Sequence, residues 1–371
     1  MGKAFDSDVF VVGGGPAGLA AAISCRQQGL SVTVADRASP PIDKACGEGL
    51  MPDSMEVLNR LGVSLEEYET GLFRGIRFVG AECSAEAVFP AGNGIGIRRL
   101  LLHHALVEKA RSCGVEMLWD AAVASVKDYA ILINGRVIYA RWVIGADGQN
   151  SWVREWAGLS AARSGVRRFG LRLHFRIRPW TDFVEIYWGS AGQAYVTPIS
   201  DNEICVALIS RQKLLSFEQG LTGFPALAAR LREALPVSRV RGGLSLAQKL
   251  KRVHRGNVAL VGEASGSVDA ITGEGMAIAF RQALALGPAL AERDLSVYGR
   301  EHRRIAKLPE LMSRTMLWMD QSRWLQDRSL RAFSREPRLF ARLLALHVGE
   351  LKLRDFGAGE LLNLGWNLLL A

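Results

Sequence analysis

The chain reads as an α/β protein: a Rossmann-like dinucleotide-binding domain, an inserted antiparallel-sheet domain and a helical C-terminal region. Three observations predict this. An apolar run, Val9 to Val12, meets the turn Gly13-Gly14-Gly15-Pro16-Ala17-Gly18, a small-residue helix, and a second apolar run, Val32 to Ala35, that ends on Asp36. Two later apolar runs, ending at Gly145 and Val261, deliver further glycine turns and helix starts. Between them, residues 166–249 change to the period-two alternation of an antiparallel sheet.

In the GxGxxG pattern, Gly13 makes the turn, Gly15 lets the backbone approach a pyrophosphate, and Gly18 packs the helix on the sheet. Pro16 and Ala17 begin that helix, where free N–H groups and the helix dipole favour an anion. Asp36, with Arg37 beside it, falls where an acid accepts from ribose hydroxyls. The loop that follows is too long for a simple connection, and such loops are usually functional. It either brings Cys46, Gly47, Glu48 and Gly49 back over the cofactor or is a glycine turn with a buried cysteine.

A short helix is expected at Met55 to Leu61, strands at 73–79 and 85–89, and a longer helix from Arg98-Arg99 to a C-cap at Gly114. Cations at a helix start oppose the dipole, so Arg98 and Arg99 either serve a phosphate or are solvated surface charge. Residues 115–144 alternate as short strands, with Asn134-Gly135 a hairpin turn. The last of them runs into Gly145-Ala146-Asp147-Gly148 and a helix begun by Ser151. The strand Val258 to Val261 likewise meets Gly262-Glu263, then a helix opening at Gly273-Glu274-Gly275. Three strand ends with glycine turns and helix starts are how a protein surrounds a long polyanionic ligand.

In the inserted region Leu171, Leu173, Phe175 and Ile177 alternate with Arg172, His174, Arg176 and Arg178, the pattern of a half-buried strand. His174 therefore reads as a solvent-face or structural histidine rather than a base. Residues 183–188, 193–199 and 203–210 continue a meander with turns at Gly189-Ser190 and Asp201-Asn202, forming a wall that faces the cofactor. A helix from Phe224 to Leu235 follows. Val297 to Ala371 reads as helices rich in Arg, Leu and Trp, which either cover the core or form a peripheral contact with an anionic membrane.

Of 371 residues 49% are hydrophobic and 22% charged, the composition of a globular protein. Five scattered cysteines without CxxC spacing argue against a disulfide framework and against a zinc or other metal site. The net charge of +9 gathers in the tail, with 13 Lys and Arg against 8 Asp and Glu from Arg300 onward. No aromatic-plus-basic motif accompanies it, so nucleic acid is not an expected partner. Neither a basic leader nor a spanning apolar run is visible, and the expected location is cytoplasmic, with contact at a membrane periphery through residues 297–371.

GGGPAG with Asp36, GADGQNSWVR, and GEASGSVDAITGEGM resemble the three flavin motifs of the para-hydroxybenzoate hydroxylase-like flavoproteins. That family includes aromatic hydroxylases, geranylgeranyl reductases and flavin-dependent halogenases. The resemblance implies FAD as cofactor and, since no second GxGxxG occurs, NAD(P)H as a transient electron donor. It carries cofactor-binding roles onto Gly13, Gly15, Pro16, Ala17, Gly18, Asp36, Arg37, Cys46, Gly47, Arg99, Asp147, Gly262, Glu263, Gly273, Gly275 and Met276. Glu263 stands where the family usually has Asp. Lys44 to Leu50 looks like the cysteine loop of the geranylgeranyl reductase branch, which makes Cys46 and Glu48 the catalytic candidates. Tyr195-Val196-Thr197-Pro198 is similar to that branch's aromatic-x-Phe-Pro stretch, and Tyr195, Thr197, Pro198 and Asp269 are assigned to the substrate pocket.

The hydroxylases' His is replaced by Gly266, Asp269 and Ala270 stand where their prolines would be, and the halogenases' WxWxIP motif is absent. The function implied is an FAD-dependent oxidoreductase acting on a hydrophobic small molecule. A monooxygenase using NAD(P)H and oxygen is the leading expectation, and a geranylgeranyl reductase-like saturation of carbon-carbon double bonds is the alternative. A second alternative is a non-catalytic binding protein on the same fold. The expected domains are residues 1–75, 95–165 and 250–296 for FAD, 76–94 and 166–249 for substrate, and 297–371 as the helical region.

Overall fold

The computed structural model describes residues 5–159, 167–189, 192–213 and 216–356. Its first sheet runs in the order His254–Arg255, Val258–Leu260, Arg136–Gly145, Ser7–Val12, Val32–Ala35, Glu116–Leu118. All these neighbours pair in parallel except the first two. Val9, Phe10, Val11 and Val12 are all buried, which is why this strand reads as an unbroken apolar run. The helices Pro16–Gln27 and Gly275–Ala291 pack together on one face through Ala20, Ala21, Ile23, Phe280, Ala283 and Leu286. Asn134 and Gly135 both take positive φ, and the hairpin they close pairs Ile133 with Arg136.

The second sheet runs Leu235–Pro236, Arg167–Arg176, Glu203–Ser210, Gly192–Ser200, Phe183–Gly189, Gly75–Val79, Ser84–Val88, with Arg241–Leu246 also on Arg167–Arg176. The meander is therefore present, although Ser190 of its first expected turn lies outside the described residues. A small third sheet, Gly49–Leu50, Gly94–Gly96 and Gly71–Phe73, joins the two. The helix expected from Phe224 to Leu235 is shorter, Pro225–Arg230, and follows another at Phe217–Leu221. Pro236 biases the residue before it toward extended backbone, and Leu235–Pro236 pairs as an edge strand instead.

The half-buried reading of residues 171–178 holds at Arg176 and Arg178, which are exposed, and needs correction at Arg172 and His174. Phe217 and Leu227 cover Leu173 and Phe175 on one face, while Arg172 and His174 are buried on the other. The C-terminal helices Leu295–Met319, Arg323–Arg335 and Pro337–His347 follow, and residues 357–371 of the expected tail lie outside the described residues. Leu330, Phe333, Phe340 and Leu344 pack with Phe78, Val184, Ile186 and Trp188, so the last two helices cover the second sheet. Among the described residues no helix is long and apolar enough to cross a membrane.

Candidate active site

One cavity of about 1410 Å³ runs between the two sheets. Gly13, Gly15, Pro16, Ala17, Asp36, Arg37, Arg99, Asp147, Gly262, Glu263, Gly273, Gly275 and Met276 all line it, as do Cys46, Gly47 and Glu48. Tyr195, Thr197 and Asp269 line it too. Two assigned residues do not. Gly18 lies behind the turn, where a Cβ would collide with the Gly13 carbonyl, in keeping with a packing role. Pro198, expected in the pocket, is not part of the cavity lining; its backbone packs against Gly71 and Gly96 of the small sheet, where a Cβ would meet its carbonyl.

The cradle is built from the backbone outward. Asp36 accepts from Gly14 N at 2.7 Å and Ala38 N at 2.9 Å, fixing the carboxylate at the end of its strand. Asp147 Oδ2 accepts from Trp152 N at 2.7 Å and Val153 N at 3.2 Å, while its Oδ1 is buried with no hydrogen-bond partner among the described residues. Arg99 Nε is likewise buried and unpartnered. Arg98 turns away to an ion pair with Glu203, so of the two cations at this helix start only Arg99 serves the cavity. A Cβ at Gly15, Gly47, Gly273 or Gly275 would meet no protein atom within 4 Å. Open space over the glycines, an orphaned carboxylate oxygen and an orphaned guanidinium nitrogen suit a ligand that carries hydroxyls and phosphates. Glu263 is half exposed and pairs with Lys44.

On the second sheet, Thr197, Cys205 and His174 stand side by side across three strands. The loop lies across this row residue by residue. Cys205 Sγ donates to Cys46 O at 3.7 Å, Thr197 Oγ1 donates to Gly47 O at 2.8 Å, and His174 Nε2 lies 2.6 Å from Glu48 Oε2. The adjacent surface is apolar, with Met51, Phe73, Ile76, Val184, Ile186 and Ala207. Glu48, His174 and Cys205 place one potential metal ligand each within 4.8 Å of one another. Arg172 stands against Glu48, at 3.7 Å, and burial pushes the Cys205 thiol well above its ordinary range. A guanidinium already beside the carboxylate and a neutral thiol make a poor cation site.

Sequence reasoning passed over Gln282 and His302, and it read His174, beside Arg172, as a solvent-face or structural histidine; the structure buries both. Gln282 Oε1 accepts from Gly262 N at 2.8 Å, and its amide nitrogen faces His302 Nε2 at 2.9 Å. Burial pushes His302 down to about 4, so it is neutral and can accept from that amide. The recoverable signal for Gln282 was the polar pair Arg281-Gln282 inside an otherwise apolar helix.

This cradle between a parallel sheet and an antiparallel one defines a dinucleotide-binding flavoprotein. The chain belongs to the FAD binding domain family, whose model matches residues 6–213, and it is an FAD-dependent oxidoreductase. A menaquinone reductase of Mycobacterium tuberculosis is 28% identical over 330 residues, 78% of each chain. A digeranylgeranylglycerophospholipid reductase of Thermoplasma acidophilum is 26% identical, covering 73% of this chain and 74% of that one. Among solved structures, a flavoprotein/dehydrogenase from Cytophaga hutchinsonii superposes with a TM-score of 0.80 at 19% identity, over 92% of this chain and 93% of that one. Pseudomonas aeruginosa PqsL in complex with 2-aminobenzoylacetate gives a TM-score of 0.68 at 24% identity, over 80% and 91%. Both structures share the fold.

Proposed function

We propose that the chain saturates carbon-carbon double bonds in a hydrophobic, chain-like substrate. The observation that supports this most directly is the continuity of the cavity from the glycine-lined cradle onto the apolar face formed by Met51, Phe73, Ile76, Val184, Ile186 and Ala207. Burying hydrocarbon on such a face is worth about 25 cal/mol per Å². Two sequence relatives carry reductase names, one of them specifying a digeranylgeranyl lipid. A monooxygenase acting on a small apolar molecule is the reading that the same cavity would otherwise serve.

In this proposal Gly13, Gly15, Pro16 and Ala17 hold the pyrophosphate of FAD, Asp36 takes its ribose, and Arg99 Nε and Asp147 Oδ1 meet the polar groups that complete their hydrogen bonding. Gly273, Gly275 and Met276 present a helix start to the ring system, with a dipole that favours negative charge there. Bound FAD, reduced by NAD(P)H, supplies two electrons and one hydrogen to the double bond. The second hydrogen arrives as a proton, and Cys46 and Glu48, which line the cavity, are the candidates to deliver it. Tyr195, Thr197 and Asp269 shape the substrate end.

The test is product mass. Flavin-loaded protein is reduced anaerobically with NADH or NADPH and given a polyprenyl lipid, and a gain of two hydrogens per double bond is expected. Gain of an oxygen atom on admission of air, with no saturated product, would establish the monooxygenase instead.

A further inference from the structure

We propose that a basic side arm of the cavity takes the phosphates of the nicotinamide donor and selects NADPH over NADH. Donor binding precedes either reaction considered above, so this site does not depend on which of them follows. The arm lies between two elements. On the helix Leu295–Met319, Arg303, Ala306, Lys307 and Glu310 line the cavity, and spacings of three and four set them on one face. Lys249, Leu250 and Lys251 line it from the facing segment, and Lys249 pairs with Glu310 at 2.5 Å, which joins the two walls. The inner end is the turn Gly262 to Ser267: His302 Nε2 lies 2.9 Å from Ser265 Oγ, and a Cβ at Gly266 would meet Leu250 at 3.5 Å. The arm therefore opens into the glycine-lined cradle.

Both carboxylates of the arm are already engaged, Glu310 by Lys249 and Glu263 by Lys44. Lys251, Arg303 and Lys307 are exposed, and among the described residues none of the three has a carboxylate partner. Like charges four apart on a helix repel, so Arg303 and Lys307 gain the fold nothing by standing together. Ala306, the small residue between them, leaves the face open. A guanidinium beside two ammonium groups suits phosphate, the first as a fork of donors and the others as point charges.

The occupant follows from the fold. No second GxGxxG occurs, so a donor that leaves after each reduction binds on a surface continuous with the flavin cavity. The apolar face of Ile76, Val184, Ile186 and Ala207 belongs to the second sheet, so a hydrophobic substrate and the donor approach from different sides. Two of the three cations answer the pyrophosphate that both nucleotides carry. The third is surplus for NADH, whereas NADPH adds a phosphate monoester of about −1.5 to −2 charge near neutral pH. The donor passes a hydride to the bound flavin and departs as NADP+, so no further reactant is needed.

Stopped-flow reduction of the full-length flavin-loaded protein under nitrogen, without substrate, compares the two nucleotides. The apparent Kd should be about 10-fold or more lower for NADPH than for NADH, and the difference should shrink as salt is raised. Arg303→Glu and Lys307→Glu should each raise the apparent Kd for NADPH about 10-fold or more, with the loss in Kd rather than in the limiting rate, and bring the two nucleotides together. Should a charge reversal cost flavin, Arg303→Gln and Lys307→Gln are read in the same way. Calorimetry on the oxidised flavoprotein adds a readout without turnover: 2′,5′-ADP should bind more tightly than 5′-AMP, and that preference should vanish in Lys307→Glu. Equal Kd for NADPH and NADH in the parent, parental NADPH affinity in the variants, or flavin that neither nucleotide reduces overturns the proposal. Weaker binding of the variants to phosphatidylserine vesicles with unchanged NADPH affinity also overturns it and assigns the arm to lipid. With no substrate present, each of these outcomes stands whether the later product is saturated or oxygenated.

Discussion

Asp320, which ends the helix Leu295–Met319, meets Arg168 of the second sheet at 3.0 Å with both side chains buried. Arg168 also reaches Asp269 at 3.1 Å and Gln193 at 2.9 Å. One guanidinium therefore ties the tail, the sheet and the loop that precedes the helix Gly275–Ala291. Removing Asp320 leaves Arg168 with Asp269 as its remaining carboxylate, so the loss should stay at or below the roughly 3–5 kcal/mol of a fully broken buried pair. Asp320→Ala should lose stability on that scale in urea unfolding of the flavin-loaded protein. Parental stability would mean that the tie is structurally idle.

Two glycines of the same turn should behave differently. Gly15 faces open space, whereas a Cβ at Gly18 would lie 1.9 Å from the Gly13 carbonyl. Gly15→Val should purify folded but colourless, and Gly18→Val should fail to fold. Circular dichroism with the absorbance at flavin wavelengths separates these outcomes, and a yellow Gly15→Val would remove the cofactor from this cradle.

A third expectation concerns pH. Glu274 is buried beside Gly275, neither of its oxygens has a hydrogen-bond partner among the described residues, and burial pushes it up to about 8. His347 of the last helix lies 3.7 Å away and is pushed down to about 4 by burial, so both groups are neutral near pH 7. The folded state holds the Glu274 proton that the unfolded state releases above about 4.5, so stability falls as pH rises from there to about 8. His347 works in the opposite direction, and its contribution falls as pH drops from 6.5 to about 4. Glu274→Gln should match the parent's Tm near the acid end and exceed it increasingly toward pH 8. Parallel Tm profiles would place the Glu274 proton elsewhere.

How much of this was legible beforehand follows from periodicity and from burial on two faces. The turn at Gly13, the strand ending on Asp36 and the turns at Asp147 and Gly262 lie in local strand-turn-helix patterns, and their side chains line one cavity. A period-two strand with charges on one face looks solvated, so of the two readings of His174 the solvent-face one fails and the structural one stands, with Arg172 buried beside it. Here those charges are buried under the loop carrying Glu48, 126 residues earlier. The Arg168–Asp320 tie spans 152 residues, and no local pattern records it. Pro198 was assigned by its neighbours in a motif, although its carbonyl packs against glycines of the third sheet.

The tail supports a fourth test. Its buried side covers the second sheet, yet Trp318 and Trp324 are 44% and 58% exposed on the outside, with Arg328 stacked over Trp324 at 4.6 Å. Basic residues near an anionic bilayer contribute about 1 kcal/mol each, screened by salt. Co-sedimentation with phosphatidylserine vesicles at low salt, lost at high salt and weakened in the Trp318→Ala/Trp324→Ala double variant, is expected if this surface meets lipid. Absence of binding leaves the helices as a cover for the sheet.

The last test separates saturation from oxygenation through Cys46. Its carbonyl is held by Cys205 and its Sγ accepts from the Glu48 N–H at 3.4 Å, so the thiol is fixed in the cavity wall by the same row of contacts that buries Glu48. A thiol there can give a proton to the substrate carbon or simply fill space. Cys46→Ser keeps the size and weakens the acid, and Cys46→Ala removes the proton. In a saturating enzyme both variants should bind flavin and accept electrons from NAD(P)H as the parent does, while substrate turnover falls about 100-fold or more, the scale of a lost general acid. An oxygenase draws the proton for its leaving hydroxide from water or from other side chains, so turnover should fall only modestly and oxygen uptake should keep pace with product. Anaerobic single-turnover reduction followed by product analysis distinguishes the two. Full activity in Cys46→Ala would remove Cys46 from the catalytic candidates, whichever chemistry is found.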